Sequence, residues 1–247
     1  MIHIQGLRKR LGGKQVLDGV ELTIHPGESI VVMGRSGSGK SVLLKHIIGL
    51  MKPDAGTIEV DGEEITGLKE RELVDVRRKF GMLFQSAALF DSMTVGDNVA
   101  LGLREHTSLP DDEIRRRVTE RLEWVGLEDV ESKKPADLSG GMRKRVGLAR
   151  AIVMDPKYIL YDEPTTGLDP IMADVIDRLV RSLQRRMGVT SVIVTHDIAS
   201  AYKIADRIAM LYEGRIVFVG SAEATRMTTD PLVRQFIEGS SVGPIKV

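Results

Sequence analysis

The feature that most constrains this sequence is a glycine-rich segment placed between a strand pattern and a helix pattern. Residues 29–33 form an apolar run that is typical of a strand buried on both faces. Residues 34–41 follow directly and read Gly-Arg-Ser-Gly-Ser-Gly-Lys-Ser, and a helical pattern covers 42–50. The order of strand, loop and helix matches the phosphate-binding pattern G-x-x-x-x-G-K-[ST]. We therefore predict an α/β core with a parallel sheet.

The residue types of this loop suit a polyphosphate. Glycines let the backbone curl so that its N–H groups point inward, and the helix N-terminus adds partial positive charge. Lys40 is expected to reach the β- and γ-phosphates, and Ser41 to bind Mg²⁺. The alternative is a glycine-rich turn without a ligand. The predicted phosphate contacts are Gly34, Arg35, Ser36, Gly37, Ser38, Gly39, Lys40, Ser41 and Val42.

A second apolar run, 158–161, ends in two carboxylates. Asp162 and Glu163 would stand at the C-terminal end of a strand, where open α/β sheets bind ligands. We predict that Asp162 holds Mg²⁺, through water, and that Glu163 orients or deprotonates the attacking water. Without the upstream loop, a solvated acidic turn before Pro164 would explain them equally well.

Two further polar residues follow apolar runs. His196 comes shortly after the run 191–194 and is a candidate for a neutral hydrogen bond to the γ-phosphate. Gln85 follows an apolar stretch, and its amide could contact both Mg²⁺ and water. Neither residue is informative alone.

The remaining patterns indicate additional layers. Alternation at 2–4, 20–24 and 57–60 predicts a small antiparallel β layer. Helical spacing over 112–124 and 141–154, without strand-like runs, predicts a helical insertion. Residues 231–238 are predicted to form a short helix that docks on its own domain or on a paired chain.

Composition limits the possible function classes. Lys plus Arg and Asp plus Glu both total 35, and Cys is absent. The balanced charge and the lack of a basic patch argue against a nucleic-acid partner, and the lack of Cys excludes disulfides and thiolate metal sites. No window approaches the ~20 apolar residues that cross a bilayer. We expect a cytoplasmic protein whose membrane partner, if any, is another chain.

A second small-residue cluster reveals a family resemblance. Residues 138–145 read Leu-Ser-Gly-Gly-Met-Arg-Lys-Arg, which would place Ser139, Gly140 and Gly141 at a helix start as a second anion site. This run resembles the signature motif of ABC ATPases. Its position after the loop and Gln85, and before the acid pair, Gly167-Leu168-Asp169 and His196, matches the family's order of motifs. The resemblance covers about 2–220.

The resemblance implies the P-loop NTPase fold of an ABC ATPase. Residues 1–225 would form a single ABC ATPase domain. Within it, 1–84 and 158–225 would form the antiparallel β layer and a RecA-like parallel-sheet core, and 85–157 would be an inserted helical subdomain. A C-terminal helix and tail would occupy 226–247.

The resemblance also implies an activity and partners. ATP and Mg²⁺ would be the cofactors, with Ser41, Gln85 and Asp162 at the metal. Two copies would pair head to tail, so that Ser139 and Gly141 of one close over the ATP of the other. Asp169 would communicate between the two sites. The segment after Gln85 would receive the coupling helix of a membrane permease.

One departure from the family pattern concerns adenine. The family usually stacks the base on an aromatic residue in the stretch that corresponds to 8–13, which reads Arg-Lys-Arg-Leu-Gly-Gly here. Stacking on an aromatic is worth ~1 to 3 kcal/mol per base. We therefore expect loose base discrimination, with Leu11 in the aromatic position and Arg10 as an alternative contact.

Two stretches resemble the Mla (maintenance of lipid asymmetry) or MCE-associated branch of the family. They are 83–99 with 103–107, and 234–239 with Gly243-Pro244. This resemblance implies phospholipid movement between the inner membrane and the cell envelope, with a permease and an MCE-domain protein as partners and a STAS-domain protein as a further candidate. The chain would then lie peripherally on the cytoplasmic face of the inner membrane. Apolar residues of 83–99 could instead be ordinary core positions of another ABC branch, with an amino acid or organic solvent as substrate.

Two rival classes remain open. An ABC mechanoenzyme acting on nucleic acid or ribosomes would commonly carry two cassettes or long insertions, unlike this chain. A nucleotide-binding regulator without turnover would not need all of Lys40, Ser41, Asp162, Glu163 and His196.

Overall fold

The structure is a computed structural model that describes residues 1–246. It contains two compact units, one made of 1–76 together with the residues from 192 onward, the other of 77–191. Over the described length, no helix is both long and apolar enough to span a bilayer.

The strands, in chain order, are β1 (Ile2–Leu11), β2 (Lys14–Ile24), β3 (Ser29–Met33), β4 (Ala55–Val60), β5 (Glu63–Glu64), β6 (Phe80–Leu83), β7 (Tyr158–Asp162), β8 (Thr190–Thr195), β9 (Arg207–Tyr212) and β10 (Arg215–Ser221). The α-helices are α1 (Lys40–Ile47), α2 (Glu70–Arg78), α3 (Val95–His106), α4 (Asp111–Trp124), α5 (Gly140–Ile152), α6 (Pro170–Met187), α7 (Ile198–Ile204), α8 (Ala222–Met227) and α9 (Pro231–Glu238). A 3₁₀ turn covers Pro135–Asp137.

An antiparallel sheet of the first unit has the strand order β2-β1-β4-β5. Ile2 is paired with Ile24 on one side and with Val60 on the other, and all three side chains are buried. The buried face of β1 carries Ile2, Ile4 and Leu7, with a register shift between Ile4 and Leu7. The alternation at 2–4 predicts the start of this face. The predicted antiparallel layer is confirmed.

The first unit also contains the buried strands that lead to the glycine-rich loop. β3 is buried at every position and runs parallel to β9, within the order β10-β9-β3-β8. β10 is antiparallel to β9 and alternates between exposed and half-buried residues, as an edge strand can. The apolar runs predicted as buried strands at 29–33 and 191–194 are confirmed as β3 and β8.

The second unit combines a parallel strand pair with helices. β6 and β7 pair in parallel from Phe80 opposite Tyr158 to Leu83 opposite Tyr161. The helices predicted at 112–124 and 141–154 are confirmed as α4 and α5. Helix α3, which periodicity did not predict, begins after Thr94, whose hydroxyl accepts a hydrogen bond from the backbone N–H of Asp97.

A stacked cluster joins α4 to α6 within the second unit. The guanidinium groups of Arg121 and Arg186 lie 3.9 Å and 3.7 Å from the centroid of the Trp124 ring. Cation–π contacts of this kind favour a fixed ring orientation.

The predicted helix at 231–238 is confirmed as α9. Asp230 caps its N-terminus by accepting hydrogen bonds from two backbone N–H groups, and Gly239 ends it with a left-handed φ of 65°. Its residues Val233 and Gln235 are buried.

Candidate nucleotide-binding site

The glycine-rich loop lies between the end of β3 at Met33 and the start of α1 at Lys40. Gly39 is the residue before the helix, has a φ of 100°, and leaves the helix N-terminus without a side-chain cap. A Cβ at Gly39 would lie 3.0 Å from the side chain and the carbonyl of Val16, so a larger residue would strain the backbone and force Val16 to move. An uncapped helix N-terminus is a suitable binding place for an anion.

The start of the loop is equally crowded. A Cβ on Gly34 would lie 2.4 Å from the carbonyl oxygen of Leu211 and 2.9 Å from the hydroxyl of Ser38. That hydroxyl is buried and has no hydrogen-bond partner within residues 1–246. Buried polar atoms are normally satisfied, so an unpartnered hydroxyl in a phosphate-type loop fits a bound anion.

Lys40 is buried, and its ammonium lies inside the curve of the loop. Nζ donates to the carbonyl oxygen of Gly34 at 2.9 Å and to that of Arg35 at 3.0 Å. An ammonium in this position can donate charge-assisted hydrogen bonds to phosphate oxygens. Ser41 and Val42 belong to the first turn of α1 and are half-buried.

His196 belongs to the same unit as this loop. It follows the last residue of β8 and is exposed, while the next residue, Asp197, caps α7 by accepting hydrogen bonds from Ala199 and Ser200 N–H groups. The imidazole therefore follows the C-terminal end of a buried strand, as the sequence predicts.

The two predicted carboxylates are at the end of β7 in the second unit. Asp162 and Glu163 are both only 7% exposed. Glu163 has a φ of 49°, a left-handed conformation that costs a non-glycine residue of order 1–3 kcal/mol. Its carboxylate accepts a hydrogen bond from the Thr166 hydroxyl at 3.1 Å. Strain at a buried acid is a functional indication that does not depend on the sequence motif.

A buried lysine connects two of the predicted site residues. Lys144 Nζ donates to the backbone carbonyls of Gln85, at 2.5 Å, and of Glu163, at 3.1 Å. Burial lowers the pKa of Lys144, and the charges of Asp162 and Glu163 oppose this shift. Lys144 belongs to the run 138–145, but the sequence pattern predicts no role for it. Only the spatial proximity of distant segments identifies it.

The backbone after Gln85 is held in an unusual conformation. Ala87 and Ala88 have φ values of 63° and 47°. Arg150 donates to the carbonyl oxygens of both alanines, each at 2.6 Å. The Gln85 side chain itself is exposed, so its amide is accessible to a ligand.

The signature residues stand at the N-terminus of α5. Ser139 is the N-cap, and its hydroxyl accepts from the backbone N–H of Met142 at 3.3 Å. Ser139 and Gly140 are exposed, whereas Gly141 is buried and a Cβ there would lie 2.5 Å from Met172 Cε. Asp169 caps α6, with two hydrogen bonds of 3.0 Å from backbone N–H groups.

A cleft of about 370 Å³ opens beside the glycine-rich loop in the first unit. Val16, Arg35 and Tyr212 are among the residues that line it. Leu11, at the position where an aromatic residue was expected, is 37% exposed. Tyr212 was not predicted, because nothing in the sequence places the end of β9 next to the loop.

Within each unit the structure brings predicted site residues together. In the first, the loop and His196 follow neighbouring strands, β3 and β8. In the second, Gln85 and Glu163 share a hydrogen-bonding partner, Lys144. The roles of these residues in binding and hydrolysis stay predictions.

Comparison with known sequences identifies the family. The sequence profile of the ABC transporter family matches residues 17–166 of this chain. The chain belongs to the ABC transporter family. It therefore carries an ATP-binding ABC ATPase cassette, as the motifs predict.

Relatives within the ABC family differ in their described cargo. The chain is 45% identical over 244 residues to the probable ribonucleotide transport ATP-binding protein mkl of Mycobacterium tuberculosis strain H37Rv, covering 99% of this chain and 68% of the relative. It is 41% identical over 246 residues to the intermembrane phospholipid transport system ATP-binding protein MlaF of Haemophilus influenzae, covering 100% of this chain and 93% of the relative.

A solved ABC cassette confirms the predicted fold class. The dimeric, post-hydrolysis structure of the ATP-binding cassette MJ0796 with ADP and Pi matches this chain with a TM-score of 0.83 and 35% identity. The match covers 90% of this chain and 99% of the other. The α/β ABC ATPase fold is thereby confirmed.

Proposed function

We propose that this ABC ATPase hydrolyses ATP at the residues described above and so drives phospholipid movement through a separate permease. The observation that carries the hydrolytic assignment is Glu163, a buried carboxylate in a left-handed conformation at the end of β7. A carboxylate with fixed geometry suits the orientation or deprotonation of a water molecule. Lys40 and the Ser38 hydroxyl would bind the phosphates.

Magnesium is part of this proposal. Ser41, Gln85 and Asp162 offer a hydroxyl, an amide oxygen and a carboxylate, and hard oxygen donors of this kind suit Mg²⁺. Asp162 would act through water. The ion would neutralise negative charge on the transferred phosphoryl group.

The assembly is also a proposal. A second copy would pair head to tail, with Ser139, Gly140 and Gly141 of one chain at the nucleotide of the other, and the dimeric state of MJ0796 supports this arrangement. Residues 1–225 would act as the cassette and 226–247 as an appended helix and tail, of which Val247 lies outside the described residues. This chain would lie peripherally at the cytoplasmic face of the inner membrane, in a complex with an integral permease and an MCE-domain protein. A STAS-domain protein is a further candidate partner.

Phospholipid is favoured over other cargo by full-length similarity. The match to MlaF extends over almost the whole of both proteins, and it includes both segments that resemble the Mla branch. The match to mkl covers a smaller share of that relative, whose described cargo is a ribonucleotide. Ribonucleotide transport is therefore the alternative that the experiments must distinguish.

Hydrolysis is tested with Glu163→Gln in the full chain. The substitution keeps the size of the side chain and removes its basicity, so ATPase activity should fall by about 10²- to 10⁴-fold. ATP binding should persist. Glu128→Gln, at an exposed position of the same unit, is the matched control and should keep full activity. Undiminished turnover by Glu163→Gln would refute the assigned role.

The cargo is tested with the complex purified from membranes. Mass spectrometry should detect phospholipid that co-purifies with the permease, and vesicle assays should show ATP-dependent lipid movement that Glu163→Gln abolishes. Movement of a ribonucleotide without lipid would overturn the lipid assignment.

A further inference from the structure

The residues after α9 fold back onto their own unit. The buried side-chain amide of Gln235 pairs with the backbone of Ile245, its Nε2 donating to the Ile245 carbonyl at 3.1 Å and its Oε1 accepting from the Ile245 N–H at 2.6 Å. Gln235 and Ile245 are each only 5% exposed. One amide thus satisfies both polar groups of a residue ten positions later, as a neighbouring strand would.

A glycine makes this contact possible. Gly243 has a φ of 151°, and a Cβ there would lie 2.5 Å from both Cδ and Oε1 of Gln235. The displaced group would be the same amide that holds Ile245. Residues 240–246, called the strap below, therefore depend on Gly243 for their position.

The strap reaches the glycine-rich loop. The carbonyl oxygen of Lys246 accepts a hydrogen bond of 2.5 Å from Nη1 of Arg35, the second residue of the loop. Lys246 also lines the cleft beside the loop, together with Lys14, Arg35 and Glu213. Three cations and one carboxylate give this cleft a positive charge excess that favours a polyanion.

We propose that the strap forms a wall of the nucleotide-binding cleft in its own chain and tightens the binding of a nucleoside triphosphate. Its contact fixes Arg35, and Lys246 adds a positive charge at the cleft. The proposal rests on the proposed function, in which residues 34–41 bind ATP. It adds a binding element that none of the sequence motifs includes.

The test separates the strap from the rest of the site. Binding of the non-hydrolysable β,γ-imido analogue of ATP, with Mg²⁺, is measured by calorimetry on the full chain and on Gly243→Ala, Lys246→Ala and Val242→Ala. Val242 belongs to the strap but is 83% exposed, so its variant is the matched control. Hydrogen exchange at the Ile245 amide reports whether the strap has detached.

Gly243→Ala should speed exchange at Ile245 and raise the Kd roughly 3- to 10-fold, the size expected for loss of one or two charge-assisted contacts. Lys246→Ala should raise the Kd by a smaller factor without a change in exchange. Val242→Ala should match the wild type in both measurements.

Two results would overturn this proposal and leave the proposed function intact. One is an unchanged Kd in Gly243→Ala with a freely exchanging Ile245 amide. The other is rapid exchange at Ile245 in the wild type, which would show that the strap is not docked. A wild-type chain that binds no nucleotide would instead refute the proposed function, and the strap assignment with it.

Discussion

The ammonium of Lys144 lies 3.1 Å from the backbone carbonyl oxygen of Glu163 and donates a hydrogen bond to it. The same ammonium donates to Gln85, 59 positions earlier in the chain. A buried cation thus fixes the backbone of two predicted catalytic residues relative to each other. It acts through them and is a positioning residue.

Lys144→Met should lower kcat by about 10- to 100-fold. The change leaves two backbone carbonyls without their buried donor, which costs ~1–3 kcal/mol per group. The affinity for ATP should hardly change, because the glycine-rich loop belongs to the other unit. Steady-state ATPase assays with calorimetric binding check the prediction, and Lys133→Met, at an exposed position, is the control. A raised KM with normal kcat would contradict a positioning role.

Gly141→Ala should destabilise the second unit by about 1 kcal/mol, because the new methyl group meets the flexible end of Met172. Gly141→Ala combined with Met172→Ala should recover that stability in urea unfolding. ATPase activity of the double variant separates two roles for Gly141. Restored activity would mean that packing alone requires glycine, whereas persistent loss would support the predicted contact with nucleotide.

Asn98→Ala should destabilise the segment that precedes α3. The Asn98 side chain is fully buried and bonds to the N–H and carbonyl of Phe90 and to the carbonyl of Thr94. Removing the amide leaves these groups unpaired, at a cost of ~1–3 kcal/mol. Urea unfolding measures the loss, with Asp91→Ala as an exposed control. A loss of less than a few tenths of a kcal/mol would show that water replaces the amide.

Leu11→Tyr should tighten ATP binding, since base stacking on an aromatic is worth ~1–3 kcal/mol. Leu11→Ala serves as the reference for the size of the side chain. Calorimetry with ATP and with a triphosphate lacking a base would assign any gain to the base. If the affinity is unchanged, the base lies elsewhere, and Tyr212→Leu and Arg10→Ala then identify its contact.

Glu113 should make the contribution of α4 to folding stability vary with salt and with pH. Hydrogen bonds from Arg116 and Arg117 lower the pKa of Glu113 to about 2 from 4.5. A depressed folded-state pKa contributes stability that is complete above the unfolded value and declines as pH falls from about 4.5 toward 2. Glu113→Gln should therefore reduce stability at pH 7 and do so less at pH 3. Because the side chain is only half-buried and meets solvent, added salt should shrink the difference at pH 7.

Local patterns predicted much of the fold. The bounds of β3 and α9 were predicted to the residue, because an unbroken apolar run and an Asp-Pro start with a glycine end are strong signals. Helix α3 was not predicted, because Gly96 and Gly102 lower its helix propensity. Its buried face is set by tertiary packing, which the local sequence does not show. Helix α6 was not predicted either, although Asp169-Pro170 at its start and Gly188 at its end are typical helix boundary signals.

The candidate site could be predicted only where its residues are neighbours in the sequence. Residues 34–41 are consecutive and run from the loop into the first turn of α1, so the curled backbone and the buried Lys40 could be expected. Lys144, Tyr212 and the strap could not, because each acts through contacts with residues far away in sequence. The left-handed conformation of Glu163 was also unpredictable, since no local residue type requires it.

Trp124 is the sole tryptophan of the chain, and guanidinium groups from α4 and α6 stack on its ring. Its intrinsic fluorescence therefore reports on the second unit alone. Emission-monitored denaturation will follow the loss of that stack, while circular dichroism averages over every helix and strand. Comparing the two curves would reveal whether both halves of the cassette melt in one cooperative step.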